Sequence, residues 1–209
     1  MGIVRNYPKL DEFLGVGTAD YSERPPNVVY VGVLSEERSI YEMIDCMPLV
    51  AERYPNARLL LGGVYSAGTK QAELEKRPGW TYVDFLGWQS REQLIEQLKR
   101  SRIGLIVFHP AGNYREALSV KMFEYMAAGL PSVVSDFPIN RDIANRHSEF
   151  GKLVEPRSPT ALATSIVQLL DQVDKSVALG NAGRQMVETH FNWANEAAVL
   201  IQIYKTLTG

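Results

Sequence analysis

From Asn27 onward the chain alternates short runs of β-branched residues with helix-periodic segments, and that alternation constrains the fold more than anything else in the sequence. A strand followed each time by a helical crossover is the signature of βαβ units, and so of a parallel sheet. Residues 28–33, 57–61, 81–86, 103–108, 132–135 and 151–154 read as six strands. The run 103–108 is apolar almost throughout, as expected of a strand covered on both faces. Segment 40–54 carries Ile40, Met43, Ile44, Met47 and Val50 at helical spacing. A polar helix is predicted near 66–77. Ser90 with Gln93 three residues on forms a capping box, opening a helix that buries Leu94, Ile95 and Leu98. Segment 119–128 is helical and stops at Gly129, and a short helix follows near 138–146. Ser158-Pro159 supplies an N-cap and a first-turn proline for a helix through Leu170. Two more helices, near 175–190 and 193–207, finish the chain. The expected fold is α/β: a Rossmann-like, doubly wound parallel six-stranded sheet in the order 3-2-1-4-5-6. Residues 1–26 show no sustained period and end in Pro25-Pro26, so they read as a linker or tail. Residues 27–209 read as the single domain.

At 209 residues, with 45% hydrophobic and 22% charged side chains, the chain suits one soluble domain. A formal net charge of −2 gives no support to a nucleic-acid partner. Cys46 is the one cysteine, so no intrachain disulfide can form and a reducing compartment, the cytoplasm, is the natural expectation. Its apolar surroundings make it a core residue rather than a nucleophile. No apolar run approaches the roughly 20 residues of a membrane span, and the N-terminus lacks the layout of a signal peptide. No transmembrane segment is expected. A peripheral contact with the inner membrane face, through another part of a larger protein, stays open.

In a doubly wound sheet, ligands bind beyond the carboxyl ends of the strands where the strand order reverses, here between the first and fourth strands. The loop after the first strand, GVLSEERS, holds the single glycine Gly32, and the second strand ends in LLLGG. A dinucleotide fingerprint needs three spaced glycines and an acidic residue after the second strand, so NAD is disfavoured. Arg38, near the next helix's start, suits a phosphate with its forked, permanently charged guanidinium. The plainer alternative pairs it with Glu36 or Glu37 on the surface. The loop after the fourth strand leads into a helix beginning at Leu118-Ser119, where free N–H groups and the macrodipole favour an anion. Lys121 and Glu124, three residues apart, share one face of that helix. Elsewhere such a pair is a surface ion pair. At the switch point it matches a nucleoside diphosphate, with amides and cations on the phosphates and a carboxylate on the ribose hydroxyls. Three charge-assisted contacts of roughly 1.5–3 kcal/mol each leave micromolar binding once association costs are met.

At these residues the chain resembles the C-terminal domain of retaining GT-B glycosyltransferases of family 4. Their mark is two glutamates with seven residues between them, the second opening E-x-M-A-x-G-x-P-V-V. Glu116 and Glu124 have that spacing, and EYMAAGLPSVV follows. The chain is similar in particular to a branch written P-x-K-x-F-E-Y-M-A-A-G-x-P, with Ser119 in place of the proline. YVGVLSEERS stands in register with the usual YVGRLSPEKG, as do LLLGG, VDFLGW, SDFP, GKLVEP and the closing FNWANEA and IYKTL. The resemblance covers about residues 27–207. It implies that Arg38 replaces the family lysine on the donor diphosphate, while Gly32 lies in the donor loop. Backbone N–H groups of Ala117, Leu118 and Ser119 would face the phosphates, with Lys121 adding charge. Glu124 would hold the ribose hydroxyls, and Glu116 would act as the catalytic residue facing the donor sugar. Gly87 and Trp88 would lie near the nucleobase. Two departures stand out: Val33 occupies the position of a family arginine, which removes one phosphate cation, and Ser39 replaces a glycine.

The resemblance further implies one half of a GT-B fold, with no obligatory metal and no cofactor beyond the nucleotide diphosphate sugar itself. No D-x-D pair occurs, and His109, His147 and His190 are too scattered in sequence for a metal site. His109 could reach the donor or serve structure. The acceptor would be a glycan, lipid or polysaccharide held by an N-terminal acceptor domain, the expected partner; without it this chain reads as a fragment with negligible transfer. A UDP-sugar is the favoured donor. Two other functions are compatible with the pattern: a non-catalytic nucleotide-sugar-binding module, and an isomerase of the UDP-sugar 2-epimerase kind, whose extra catalytic groups find no counterpart here.

Overall fold

A computed structural model describes residues 3–17 and 21–208. The strands are β1 (Val28–Leu34), β2 (Leu59–Tyr65), β3 (Val83–Gly87), β4 (Ile103–Ile106), β5 (Ser132–Ser135) and β6 (Gly151–Val154). They form one all-parallel sheet in the order β3-β2-β1-β4-β5-β6, as the alternation predicts. The helices are α1 (Ile40–Asp45), α2 (Met47–Ala51), α3 (Gln71–Leu74), α4 (Arg91–Lys99), α5 (Val120–Ala127), α6 (Pro138–Arg146), α7 (Pro159–Asp171), α8 (Val173–Thr189) and α9 (Trp193–Thr208). None is long and apolar enough to cross a membrane.

Alternate strand residues feed two cores. Val28, Tyr30, Leu59, Leu61, Leu105 and Val133 point to the face covered by α1, α2 and α7. Val29, Leu60, Ile106 and Val134 point to the face that packs α4, α5 and α8. A period of two with both faces apolar is what a sheet clad on both sides requires. Cys46 lies in the first core, where burial pushes its thiol well above the usual range.

The boundaries differ from the sequence reading where proline and glycine intervene. The helix expected over 40–54 divides at Cys46, because Pro48 has no N–H to donate back to Ile44. The helix expected near 66–77 contracts to α3, preceded by a turn with Gly68 at φ 98°. Thr81 and Tyr82 belong to a 3-10 turn (Pro78–Tyr82) rather than to β3. Both N-terminal caps are present: Ser90 with Gln93 as a reciprocal box, and Ser158 accepting from the Ala161 N–H at 3.1 Å.

Of the segment 1–26, Met1, Gly2 and residues 18–20 lie outside the described residues, as does Gly209 at the far end. Its described part forms two 3-10 turns, Leu10–Phe13 and Tyr21–Glu23. Tyr7, Phe13 and Val16 are buried in the second core. Tyr7 meets Phe123 of α5 edge-on at 4.7 Å, and the Trp193 N–H donates to the Pro8 carbonyl at 2.9 Å.

The sheet opens between β1 and β4. β1 pairs with β2 along all seven of its residues, but with β4 only at Val28↔Ile103 and Val29↔Gly104. Past that point Val31 turns its N–H to the Tyr125 hydroxyl of α5 at 3.3 Å, so the unzipped strand leaves no orphan donor there. The Tyr125 ring lies directly over Gly104, where any Cβ would overlap it. Gly104→Ala is therefore expected to push α5 off the sheet, lowering stability by about 1–3 kcal/mol in a denaturant titration. An unchanged midpoint would show that α5 is not seated by this contact.

Candidate functional site

The crevice left between β1 and β4 is rimmed by the loop after each strand. The first carries a 3-10 turn (Glu36–Arg38) and then Ser39 in the left-handed conformation, at φ 54°. The second runs from Val107 to Ser119. Two bonds tie the rims together: the His109 N–H donates to the Glu37 carbonyl at 2.8 Å, and His109 Nε2 meets Glu42 Oε1 of α1 at 2.8 Å. His109 is buried, so its place in the described structure is a brace across the crevice.

Gly32, Arg38 and Lys121 come together at the crevice floor. A Cβ on Gly32 would lie 3.0 Å from Lys121 Nζ, 3.3 Å from the Tyr30 hydroxyl and 3.6 Å from Arg38 Nη1. Glycine here leaves open the space on which both cations converge. The Lys121 ammonium sits 5.2 Å from the Tyr30 ring centroid and 5.8 Å from that of Phe108. Arg38 Nε donates to the Tyr114 hydroxyl at 3.4 Å, and the Tyr114 ring stacks on Phe108 with centroids 4.8 Å apart. Among the described residues Arg38 makes no ion pair with Glu36 or Glu37, so the surface alternative is not the one adopted. Burial, then the adjacent charge of Arg38, push the Lys121 ammonium down to about 8, against a smaller upward pull from Glu124. Two close, partly desolvated cations without a paired carboxylate are costly unless an anion joins them.

The start of α5 faces the same space. Ser119 takes the N-cap backbone conformation, but its hydroxyl accepts nothing from the helix, and the N–H groups of Leu118, Ser119 and Val120 donate to no described residue. Ala117 behaves differently. Its N–H and that of Glu116 both donate to the Asn113 carbonyl, at 2.9 and 3.0 Å, in the turn that closes the loop. In this conformation Ala117 offers no amide to a phosphate. The helix ends in a Schellman arrangement, with Gly129 at φ 66° and the Leu130 N–H on the Tyr125 carbonyl at 2.9 Å.

Glu124 lies one turn beyond Lys121 and is not paired with it. Its Oε1 accepts from Arg91 Nη1 of α4, and Arg91 also donates from Nε to Glu12 Oε2 at 2.7 Å. Glu116 is exposed and borders a different cavity, of about 340 Å³, with Arg5, Asn6, Leu118 and Ile139. Gly87 ends β3 at φ 64°, and Trp88 beyond it is 71% exposed. A cavity of about 670 Å³ lies away from the switch point, lined by Arg141 of α6 and Lys152 of β6 among others.

Sequence reasoning missed Arg91, Glu12, Tyr30 and Tyr114. One signal was present for Arg91: a cation in the first turn of a helix opposes the macrodipole, so a carboxylate elsewhere should hold it.

Comparison with known proteins agrees with this architecture. The family described as glycosyl transferases group 1 matches residues 20–186. A Mycobacterium tuberculosis phosphatidyl-myo-inositol mannosyltransferase is 26% identical over 216 residues, covering 99% of this chain and 54% of the relative. A glycogen synthase from the same organism is 25% identical over 185 residues, covering 86% and 42%. The chain thus spans about half the length of the curated relatives it matches. Among solved structures, Anabaena HepE in complex with UDP-glucose superposes with a TM-score of 0.77 at 18% identity, over 99% of this chain and 57% of HepE. The C-terminal domain of a group 1 glycosyl transferase (LpcC) from Francisella tularensis has a TM-score of 0.69 at 17% identity, over 90% of this chain and 96% of that one. With a match over most of its length, the chain belongs to the family of glycosyl transferases group 1.

Proposed function

We propose that this domain binds the donor of a retaining, family 4 type glycosyltransferase, which moves a sugar from a nucleotide diphosphate sugar to a glycan or lipid-linked acceptor. The observation that carries the reading is the convergence of Arg38 and Lys121 on the open space above Gly32, beside the free amides that start α5. That space accepts a diphosphate. As the glycosidic bond breaks, negative charge grows on the leaving diphosphate, and fixed cations and amides stabilise it without a metal. Lys121 supplies the second cation that Val33 does not. In this reading Glu124 accepts from the ribose hydroxyls, Gly87 and Trp88 border the base, and Glu116, exposed beside its own cavity, serves the sugar where positive charge develops at the anomeric carbon. A UDP-sugar is the favoured donor, since a UDP-glucose complex occurs among the similar structures. The acceptor would be held by an N-terminal domain facing this one across a cleft, at the cytoplasmic side of the cell.

Titration of the chain with UDP, GDP, ADP and dTDP tests the reading. Micromolar binding of one nucleotide, about −8 kcal/mol, is expected. A folded chain that binds none of the four overturns it. With an acceptor-binding domain joined to the chain, Glu116→Gln is expected to lower the transfer rate by about 10²–10³-fold at unchanged nucleotide affinity. Equal transfer by the variant removes Glu116 from the chemistry.

A further inference from the structure

Arg91 is held in a way that neither its helix nor the core explains. It sits in the first turn of α4, where the macrodipole disfavours a cation, yet its guanidinium is two-thirds covered and engages two carboxylates. Nη1 donates to Glu124 Oε1. Nε and Nη2 lie 2.7 and 2.6 Å from Glu12 Oε2, and the guanidinium carbon stands 5.1 Å from the Phe13 ring centroid. Glu124 Oε2 has no such partner and is not sealed from solvent, so one carboxylate oxygen is fixed while the other stays available. The three charged side chains line a cavity of about 340 Å³ together with Asn6 and Lys9.

We propose that Arg91 is a positioning residue of the donor site: by bridging Glu124 to Glu12 it fixes the ribose-binding carboxylate and makes the segment Leu10–Phe13 part of the nucleotide site. The inference rests on the donor-site reading above. A guanidinium with fixed geometry narrows the orientations open to the carboxylate, so less ordering remains when the ribose arrives. Glu12 in turn holds the other edge of the guanidinium, through Nε and Nη2, leaving Nη1 on Glu124. The segment Leu10–Phe13 is anchored to the rest of the domain through Phe13 in the core and the Pro8 carbonyl on Trp193.

The test uses three ligands that differ in what they present: UDP, its 2′,3′-dideoxy form, and inorganic pyrophosphate, with GDP and its dideoxy form substituted if guanine is the base bound. Arg91→Gln is expected to weaken UDP binding by about tenfold or more, with dideoxy-UDP and pyrophosphate changed by less than about twofold. Arg91→Lys should recover part of the loss, and Glu12→Gln should show a smaller loss confined to the same ligand. Arg91→Gln binding UDP as tightly as wild type, or more tightly, would mean that Arg91 competes with the ribose, and the inference falls while the donor site stands. Equal losses for all three ligands would reduce Arg91 to a fold-stabilising role and also overturn it. A wild-type chain that binds pyrophosphate but neither nucleotide sinks the ribose assignment of Glu124 first.

Discussion

Replacing Lys121 with methionine is expected to weaken nucleoside diphosphate binding by about 10–100-fold, the worth of one charge-assisted contact, while raising the melting temperature of the empty domain. The two effects have one origin. Lys121 lies against Arg38 and the Tyr30 ring, and its ammonium is depressed from 10.5 to about 8. A lysine depressed on folding costs stability wherever it must carry its charge. Below about pH 8 the folded and unfolded chains are both protonated there, so the full cost is present. Between about 8 and 10.5 the unfolded chain binds more protons, so this residue's contribution to stability rises with pH through that window. In Lys121→Met that rise should vanish from melting curves taken at a series of pH values. A bound diphosphate reverses the balance by favouring the charged amine. Affinity should therefore fall as pH rises through about 8, with a proton taken up on binding, visible as a calorimetric heat that depends on the buffer's ionisation enthalpy. Methionine lowering stability and leaving affinity intact would make Lys121 a packing residue.

Glu124→Ala should abolish measurable nucleotide binding at micromolar concentrations. A carboxylate accepting from two ribose hydroxyls makes two charge-assisted bonds, and losing both costs about 3 kcal/mol or more, at least 100-fold in affinity. Stability should change far less, because Arg91 keeps Glu12 as a partner and its guanidinium is not left uncompensated. Pyrophosphate, which lacks the sugar, serves as the control. If Glu124→Ala loses pyrophosphate and UDP alike, the defect lies in the phosphate end of the crevice and the ribose assignment is wrong.

The parts of this protein legible in its sequence are those set by local rules. Val28, Val29 and Tyr30 alternate between two cores, so strand identity and burial on both faces follow from the residues alone. The capping box at Ser90 needs only three residues of context, and it formed. Pro48 carried its own warning that the helix from Ile40 would divide, overridden in the sequence reading by the apolar spacing on either side. The partners of charged groups were a different matter. Arg38 had two carboxylates beside it in sequence, and it turned instead to Tyr114, 76 residues on. Glu124 passed over the lysine three residues before it for Arg91, 33 residues away. Short-range electrostatics in water is worth so little that tertiary geometry decides such choices. The Ala117 N–H, likewise, goes to the Asn113 carbonyl in a turn within its own loop, which no local spacing rule announces.

The opening between β1 and β4 has an implication for how such a domain can diversify. Its width is governed by Tyr125 closing off the Val31 amide and by Gly104 admitting the phenol ring beneath. Neither belongs to the two loops that rim the crevice. The frame and the reading surface are thus encoded by separate residues. Substitutions along the two rim loops can change the chemistry presented there without altering the gap itself, while the sheet stays as it is.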